Sequence, residues 1–191
     1  MSEATQNDLV KKVEDLPPLK TIEIEAPKKT EDGFNFEVNL VAHKEKGTGF
    51  FKSAIAKPEG SGYGAFEIKC DEGTLIGGTD LAPAPLSYLG SGVAFCFLSH
   101  VYMYEQSRKL DITSVKVEQK MRFMLASNLT DSHDEDVGHG RCYGIDFNVI
   151  VESPEPKEEI EKMIEVCTTG CIGLQTVINA TPPSFKLIHN P

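Results

Sequence analysis

One long run of the chain carries no charged residue: LAPAPLSYLGSGVAFCFLSHVYMY, from Leu81 to Tyr104. Pro85 suits the first position of a helix, because a proline lacks the N–H group that is not needed there. The run therefore predicts a helix from Pro85 to about Lys109 that is apolar nearly all round. Such a helix would form the centre of the fold, and it contains the thiol of Cys96.

The uncharged run is also long enough to be considered as a membrane span. Small and polar residues interrupt it, however, which favours a helix buried on most sides; they are Pro83, Ser87, Gly90, Ser91, Gly92, Ser99 and His100. One small sheet cannot cover a helix that is apolar nearly all round, but a second copy of the chain could. We therefore expect a homodimer, the commonest closed oligomer, and no membrane partner.

Composition and charge limit the classes of function. The 191 residues are 40% hydrophobic and 25% charged, as in one ordinary globular domain with its own core. A net charge of −10 with three arginines argues against binding to nucleic acid or anionic membrane surfaces, since both need clustered cations. A neutral or apolar partner is expected.

The cysteines indicate a reducing environment. There are five, an odd number, and none forms a CxxC pattern. The first residues also do not pair a charged start with an apolar segment, as a secretion signal would. The sequence therefore predicts a cytoplasmic protein without structural disulfides. Gly73, Gly77 and Gly78 do not match a phosphate-binding loop, and no cofactor is expected.

The pattern along the chain predicts an α+β fold, with residues 1–30 as an N-terminal arm and 31–191 as a single domain. In the arm we predict a short helix over Asn7–Glu14 and a strand over Thr21–Glu25. The remaining predicted elements, in order, are strands Phe34–Leu40, Phe50–Ala56 and Phe66–Cys70, the central helix, strands Val115–Leu125 and Tyr143–Val151, a helix from Ser153 that breaks at Gly170 and resumes over Cys171–Asn179, and a strand over Phe185–Ile188.

Two thiols on separate helices are the candidate reactive groups. Sulfurs from facing helices can meet across a core, so Cys96 and Cys171 suggest a redox couple more than a metal site. His100 lies one turn after Cys96, on the same helical face, and could act as its base or hydrogen-bond partner. The alternative is that Cys96 and His100 are packing residues, because free cysteines are among the most buried residues.

Two other clusters give weaker indications. Cys167 and Cys171 are one helical turn apart, a spacing that suits a metal or no site at all, and no further nitrogen or sulfur ligands lie nearby in sequence. Zinc is therefore not expected there. A second cluster lacks the regular spacing of a calcium loop and fits an exposed hairpin connection; it contains Asp131, His133, Asp134, Glu135, Asp136 and His139. We predict no metal site.

Two segments together carry a resemblance to a known family: FEIKCDEGTLIGGTDLAPAPLSYLGSGVAFCFLSHVY, from Phe66, and CTTGCIGLQTVINATPP, from Cys167. The telling features are the acidic and glycine-rich turn, the proline-led helix with its thiol, and the second thiol at the start of a helical segment. In their order and spacing they resemble the OsmC/Ohr family of organic hydroperoxide reductases and osmotically inducible proteins.

The resemblance implies an OsmC-like intertwined homodimer in which two long helices cross inside wrapped sheets, with sites at the interface. It also implies that Cys96 attacks an organic hydroperoxide and becomes a sulfenic acid, which Cys171 resolves to a disulfide. An external dithiol would then restore both thiols. Apolar residues near the thiol, such as Leu89, Phe95 and Phe97, would favour lipid-like hydroperoxides.

The chain departs from the family pattern at three points. Active members hold the thiol with an arginine from the N-terminal half, whereas the first arginine here is Arg108. They also carry a glutamate where this chain has Leu86 or Ser87, and a proline where Ile172 follows Cys171. Lys52 or Arg122 could substitute for the missing cation. These departures motivate an alternative function, the binding of an apolar small molecule at the dimer interface without peroxidase activity.

Overall fold

A computed structural model of the chain describes residues 9–15, 17–18, 37–44, 46–125, 140–179, 181 and 183–189. They fall into two compact units, and the boundary along the chain lies between Tyr88 and Leu89. The predicted strand over Thr21–Glu25 and the acidic segment 131–139 lie outside the described residues. The boundary between arm and domain near residue 30 stays a prediction.

The first unit contains a four-stranded antiparallel sheet. Its strands are β1 (Val10–Val13), β2 (Val38–His43), β3 (Lys52–Pro58) and β4 (Ala65–Cys70), in the order β1-β4-β3-β2. Strands β2, β3 and β4 follow one another as a meander, as the alternating sequence predicts. Residues 34–36 of the first predicted strand lie outside the described residues, and the strand continues to His43.

The short helix predicted over Asn7–Glu14 is wrong. Val10–Val13 instead form β1, which pairs with β4 from Val10 opposite Ile68 to Val13 opposite Ala65. A helix of so few residues is marginal on its own. The hydrogen bonds to β4 decide that this segment is a strand. The β-branched side chains of Val10 and Val13 also suit a strand.

A buried carboxylate organises the turn that follows β4. Asp71 is fully buried, and its Oδ2 accepts hydrogen bonds from the Thr79 N–H (3.0 Å), the Thr79 hydroxyl (2.5 Å) and the Leu81 N–H (3.3 Å). Gly78 approaches the same loop so closely that a Cβ would lie 1.9 Å from the Glu72 carbonyl oxygen. The Thr79 hydroxyl, helped by backbone N–H groups, lowers the pKa of Asp71 to about 2.

We expect Asp71 to make the stability of the protein depend on pH. A carboxyl group whose pKa falls on folding stabilises the native state above its unfolded pKa, near 4, and loses this effect as the pH falls toward 2. Asp71→Asn should lower the free energy of unfolding by roughly 1–2 kcal/mol at pH 7 and by much less near pH 2. Urea unfolding at several pH values measures this. The exposed Asp80→Asn is the control, and equal losses at both pH values for Asp71→Asn would contradict the assignment.

The long helix confirms the prediction made from the uncharged run. Helix α1 covers Pro85–Arg108. It ends because Lys109 takes a left-handed conformation (φ 56°), and the Leu110 N–H then bonds back to the Glu105 carbonyl (3.1 Å). This is the hydrogen bond of a Schellman cap.

The second unit continues with a hairpin and two helices. Strands β5 (Ser114–Leu125) and β6 (Gly140–Glu152) pair antiparallel along their full length, as their alternation predicts. Helix α2 (Lys157–Gly170) and helix α3 (Ile172–Ile178) are separated at Cys171. The predicted break after Gly170 is therefore present.

Two predictions near the C-terminus are wrong. The helix predicted from Ser153 begins only at Lys157, because Pro154 and Pro156 keep the residues before them out of the helical conformation. Ser153 instead donates its hydroxyl to the Asp111 carbonyl (2.6 Å). Residues 183–189 form no strand, and Phe185 is 92% exposed, because within the described chain no neighbouring strand pairs with it.

One face of α1 forms the core of the second unit. Val93, Phe97 and Val101 lie at helical spacing and are at most 2% exposed. They pack against α2 and α3 and the inner face of the hairpin, and the rings of Phe97 and Phe147 are 5.8 Å apart. The buried core also includes Met163, Cys167, Cys171 and Leu174. Partly buried side chains of the hairpin pack against it, among them Val115, Val117, Ile145, Val149 and Val151.

The opposite face of α1 is apolar and uncovered. Phe95 is 67% exposed and Tyr102 is 61% exposed. By length and composition α1 could cross a membrane, with a mean hydropathy of 1.3 over its most apolar window. Core helices of soluble proteins share these properties, so composition alone does not identify a span.

Candidate functional site

The second unit brings the two predicted thiols together with His100. Cys96 and His100 lie one turn apart on α1, and Cys171 lies between α2 and α3. The two sulfurs and an imidazole nitrogen are all within 4.8 Å of one another. Cys96 and Cys171 are 75 positions apart in the sequence, and the fold brings their sulfurs to within 4.8 Å of each other. We call Cys96, His100 and Cys171 the thiol cluster.

A glycine allows α3 to approach Cys96. The Gly173 N–H donates a hydrogen bond to the Cys96 sulfur (3.3 Å). A Cβ on Gly173 would lie 3.1 Å from the Cys96 Cβ and 3.4 Å from the Val93 Cα, tighter than ordinary packing. The sequence alone did not predict this contact, because Gly173 carries no functional group that marks it.

Cys171 is the deeper of the two thiols. It is completely buried, whereas Cys96 is half-buried. Its sulfur accepts a hydrogen bond from the Leu174 N–H (3.4 Å) and so caps α3. Burial raises the pKa of Cys171, and the nearby Cys96 raises it further, while the Leu174 hydrogen bond opposes both effects. The Cys171 thiol therefore favours its protonated form.

His100 is held against the thiol cluster by its own helix. Its Nδ1–H donates to the carbonyl oxygen of Cys96 (2.9 Å), and the same nitrogen is 4.0 Å from the Cys96 sulfur. The ring lies beside Gly170 on α2, where a Cβ would be in ordinary contact with the His100 Cδ2 at 3.5 Å. The carbonyl bond expected of a packing histidine is thus present, and the imidazole still faces the thiol.

The other cysteines take different positions. Cys167 is buried in the core one turn before Cys171; burial and the charge of Cys171 raise its pKa. It is not among the three residues of the thiol cluster. Cys142 lies on β6, and Cys70 ends β4 in the first unit. All five thiols are free.

The cations considered as substitutes for the family arginine have partners of their own. Arg122 on β5 forms an ion pair with Asp146 on β6 (2.5 Å), which raises the pKa of the guanidinium. Lys52 pairs with Glu72 within the first unit (3.7 Å). In the described part of the second unit, the polar groups near the Cys96 sulfur include the Gly173 N–H, the His100 imidazole and the Cys171 thiol.

This arrangement can support two kinds of chemistry. Two thiols whose sulfurs lie within 4.8 Å can form a disulfide after a movement of about 2–3 Å, since an S–S bond is about 2 Å long. Two thiolates and an imidazole are also ligands that zinc and similar cations prefer. The roles of Cys96 and Cys171 as catalytic residues stay predictions.

A sequence profile described as "OsmC-like protein" matches residues 78–186, which include α1, the hairpin and the whole thiol cluster. The chain belongs to the OsmC-like protein family. Among curated protein sequences none matches the chain.

Solved structures of OsmC-like proteins share its fold. An OsmC-like protein from Mycoplasma pneumoniae superposes with a TM-score of 0.51 at 17% identity, covering 73% of this chain and 86% of its own. An OsmC-like protein of unknown function from Vibrio cholerae gives 0.51 at 11% identity, covering 74% and 94%. An OsmC-like hydroperoxide resistance protein from Jannaschia gives 0.49 at 21% identity, covering 81% and 94%. The predicted OsmC-like α+β fold is confirmed.

We expect Gly173→Ala to separate the two thiols. The added methyl group would lie 3.1 Å from the Cys96 Cβ, so Cys96 and α3 would have to move apart by a few tenths of an ångström. This displacement should slow disulfide formation between Cys96 and Cys171 by roughly two- to fivefold. Mass spectrometry after timed addition of diamide measures the rate.

Gly73→Ala is the matched control, because a Cβ at Gly73 has nothing within 4 Å and its backbone (φ −67°) suits an alanine. It should leave the rate of disulfide formation unchanged. If Gly173→Ala reacted as fast as the wild type, the close approach of α3 would not control the thiol pair.

Proposed function

We propose that this OsmC-like protein reduces organic hydroperoxides with its two clustered thiols. The hydroperoxide ROOH and the two thiols give the alcohol ROH, water and one disulfide. The observation that carries the proposal is the placement of the Cys96 and Cys171 sulfurs within 4.8 Å of each other. No other described cysteine shares a cluster of this kind.

Cys96 is the thiol that attacks the hydroperoxide. It is half-buried and can be reached, whereas Cys171 has no exposed surface. Its thiolate attacks the distal peroxide oxygen, the O–O bond breaks, and the alkoxide leaves with a proton as the alcohol. The Gly173 N–H bond to the sulfur supports the negative charge that the attack requires. The imidazole of His100 lies beside the reacting sulfur, with its Nδ1 4.0 Å from the Cys96 Sγ, and is the candidate proton donor to the leaving oxygen.

Cys171 resolves the sulfenic acid that forms on Cys96. Burial raises the pKa of the Cys171 thiol and keeps it protonated until a base takes the proton. Cys96 therefore reacts first, because the thiolate is the nucleophilic form of a cysteine. The Cys171 sulfur then attacks the sulfenic sulfur, and hydroxide leaves as water. An external dithiol reduces the resulting disulfide by exchange. A reducing compartment such as the cytoplasm would supply that dithiol, and the cytoplasm is the compartment that we propose.

Apolar surroundings support a lipid-like substrate. Cys96 packs against the core that contains Val93 and Phe97, and Leu89 lies two turns earlier on the same face of α1. Phe95 does not share this position, because it is 67% exposed on another face. The alkyl part of an organic hydroperoxide suits such a site better than hydrogen peroxide does.

The Cys96→Ser variant should lose all turnover of cumene hydroperoxide, because the nucleophile is gone. Without added thiol, the Cys171→Ser variant should still consume one hydroperoxide per chain and then stop as a sulfenic acid, which dimedone labels on Cys96. A turnover assay with dithiothreitol measures the first effect, and mass spectrometry in the absence of dithiothreitol measures the second.

Cys142→Ser serves as the control and should retain wild-type activity, since Cys142 lies outside the thiol cluster. The proposal fails if the wild-type thiols persist unchanged in excess hydroperoxide. Unchanged turnover in Cys96→Ser would equally contradict it.

The uncovered face of α1 supports a homodimer. A second copy of the chain would bury Phe95 and Tyr102, whose exposure in water is unfavourable. Sedimentation velocity should give twice the 21.0 kDa mass of one chain. Phe95→Glu should shift the protein to 21.0 kDa, because the interface would have to bury a charge.

Thr168→Glu adds the same charge on an exposed position of α2 and serves as the control. It should leave the mass unchanged. A wild-type protein that sediments as a monomer at micromolar concentration would contradict the dimer.

A further inference from the structure

We propose that the thiol cluster of the reduced protein also binds a thiophilic divalent cation of the zinc type. Cys96 and Cys171 would bind it through their thiolates and His100 through its imidazole. This inference goes beyond the peroxide chemistry, and the binding itself does not depend on that chemistry.

The distances within the cluster are close to those of a zinc site. Zn–S bonds of about 2.3 Å and Zn–N bonds of about 2.0–2.1 Å in a tetrahedron place neighbouring ligand atoms roughly 3.5–3.8 Å apart. The Cys96 sulfur and the His100 Nδ1 are already 4.0 Å apart, and no pair in the cluster exceeds 4.8 Å. A contraction of about 1 Å, within reach of side-chain rotation, would complete the three-ligand set.

The ligands also come from suitable positions in the fold. Cys96 and His100 lie at i and i+4 on one helical face, which is a common arrangement for a pair of metal ligands. Cys171 approaches from the opposite side, at the break between α2 and α3. Among the described residues this is the one group of three such side chains whose ligand atoms converge.

Charge and hydrogen bonding favour the same ion. Two thiolates balance the two positive charges of the cation, so the occupied site is neutral next to an apolar core. The Gly173 and Leu174 N–H groups donate to the two sulfurs, as outer-shell groups do in thiolate metal sites. His100 would exchange its Nδ1–H bond to the Cys96 carbonyl for the bond to the metal and carry its proton on Nε2.

The site would have an open fourth position. Three protein ligands are the pattern in which zinc keeps a water or another small ligand. Cys96 and His100 are both half-buried, which leaves a route for the ion from solvent. A monodentate thiol or anion could occupy the remaining position.

Metal binding would regulate the proposed peroxidase, and this consequence rests on the proposed function. A Cys96 sulfur bound to the cation has a lone pair engaged and cannot attack a hydroperoxide readily. Formation of the Cys96–Cys171 disulfide would remove two of the three ligands and release the ion. The cation would therefore hold the reduced protein in a resting state.

Cobalt(II) titration of the metal-free, reduced protein tests the site without any hydroperoxide. Under anaerobic conditions the wild type should bind one equivalent with thiolate-to-cobalt charge-transfer absorption and the intense visible bands of tetrahedral cobalt. Zinc should displace the cobalt. A wild-type protein that shows neither signal would overturn the proposal.

Variants identify the ligands in the same titration. Cys171→Ser and Cys96→Ser should each weaken the charge-transfer absorption, and His100→Gln should lower affinity at least about tenfold while both thiols remain. Cys142→Ser is the matched control and should bind as the wild type does. Equal cobalt affinity in wild type, Cys171→Ser and His100→Gln would exclude the cluster as the site.

Alkylation of the wild type gives a measurement that needs no variant. One equivalent of zinc should protect Cys96 from iodoacetamide while the labelling rate of Cys142 is unchanged, and peptide mass spectrometry reads both. Activity with cumene hydroperoxide should fall with zinc and return with EDTA. A site that binds cobalt in a protein without peroxidase activity would contradict only the proposed function, and an active enzyme that binds no cobalt would contradict only this inference.

Discussion

The contact between Gly173 and Cys96 is the constraint on which the thiol cluster depends. Because Gly173 has no Cβ, the start of α3 lies close to α1 without displacing Cys96, and its N–H reaches the Cys96 sulfur at 3.3 Å; a Cβ there would lie 3.1 Å from the Cys96 Cβ. The same approach places the preceding turn, with Cys171, opposite Cys96. The proximity of the two sulfurs is therefore a consequence of backbone packing, and both proposed chemistries use it.

The cluster differs from the pattern that the family resemblance implies. The family arginine and glutamate have no counterparts at the matching positions, and the cations considered in their place are paired with Asp146 and Glu72. In the described part of the second unit, the polar groups beside the sulfurs of Cys96 and Cys171 include two backbone N–H groups and one imidazole. Such groups stabilise a thiolate, or a metal bound to it, without a fixed cation. A site with this polarity suits an apolar substrate and a neutral metal–dithiolate complex equally well.

Prediction from the sequence succeeded where local signals agree with the tertiary environment. The uncharged run and Pro85 gave the correct start of α1, and alternation gave β5 and β6, because these elements bury the face that their pattern marks. It failed where remote contacts decide. β1 forms because β4 offers an edge, whereas the C-terminal segment around Phe185 finds no strand within the described chain. The start of α2 was predicted at Ser153, four residues before its position at Lys157, because the prediction did not allow for the effect of Pro154 and Pro156 on the residues before them.

The sequence by itself determined the α+β class, the central apolar helix, the break after Gly170 and the identity of the two candidate thiols, because each is encoded in residue types at fixed spacing. Only the tertiary structure decided that these thiols meet, which of them is buried, and that His100, which the sequence puts beside Cys96, also lies near Cys171. Those properties depend on how α3 packs on α1 across 75 positions of chain. The spacing of Cys96 and Cys171 along the sequence does not give the distance between their sulfurs. That distance is set by the packing of α3 on α1, where Gly173 contacts Cys96.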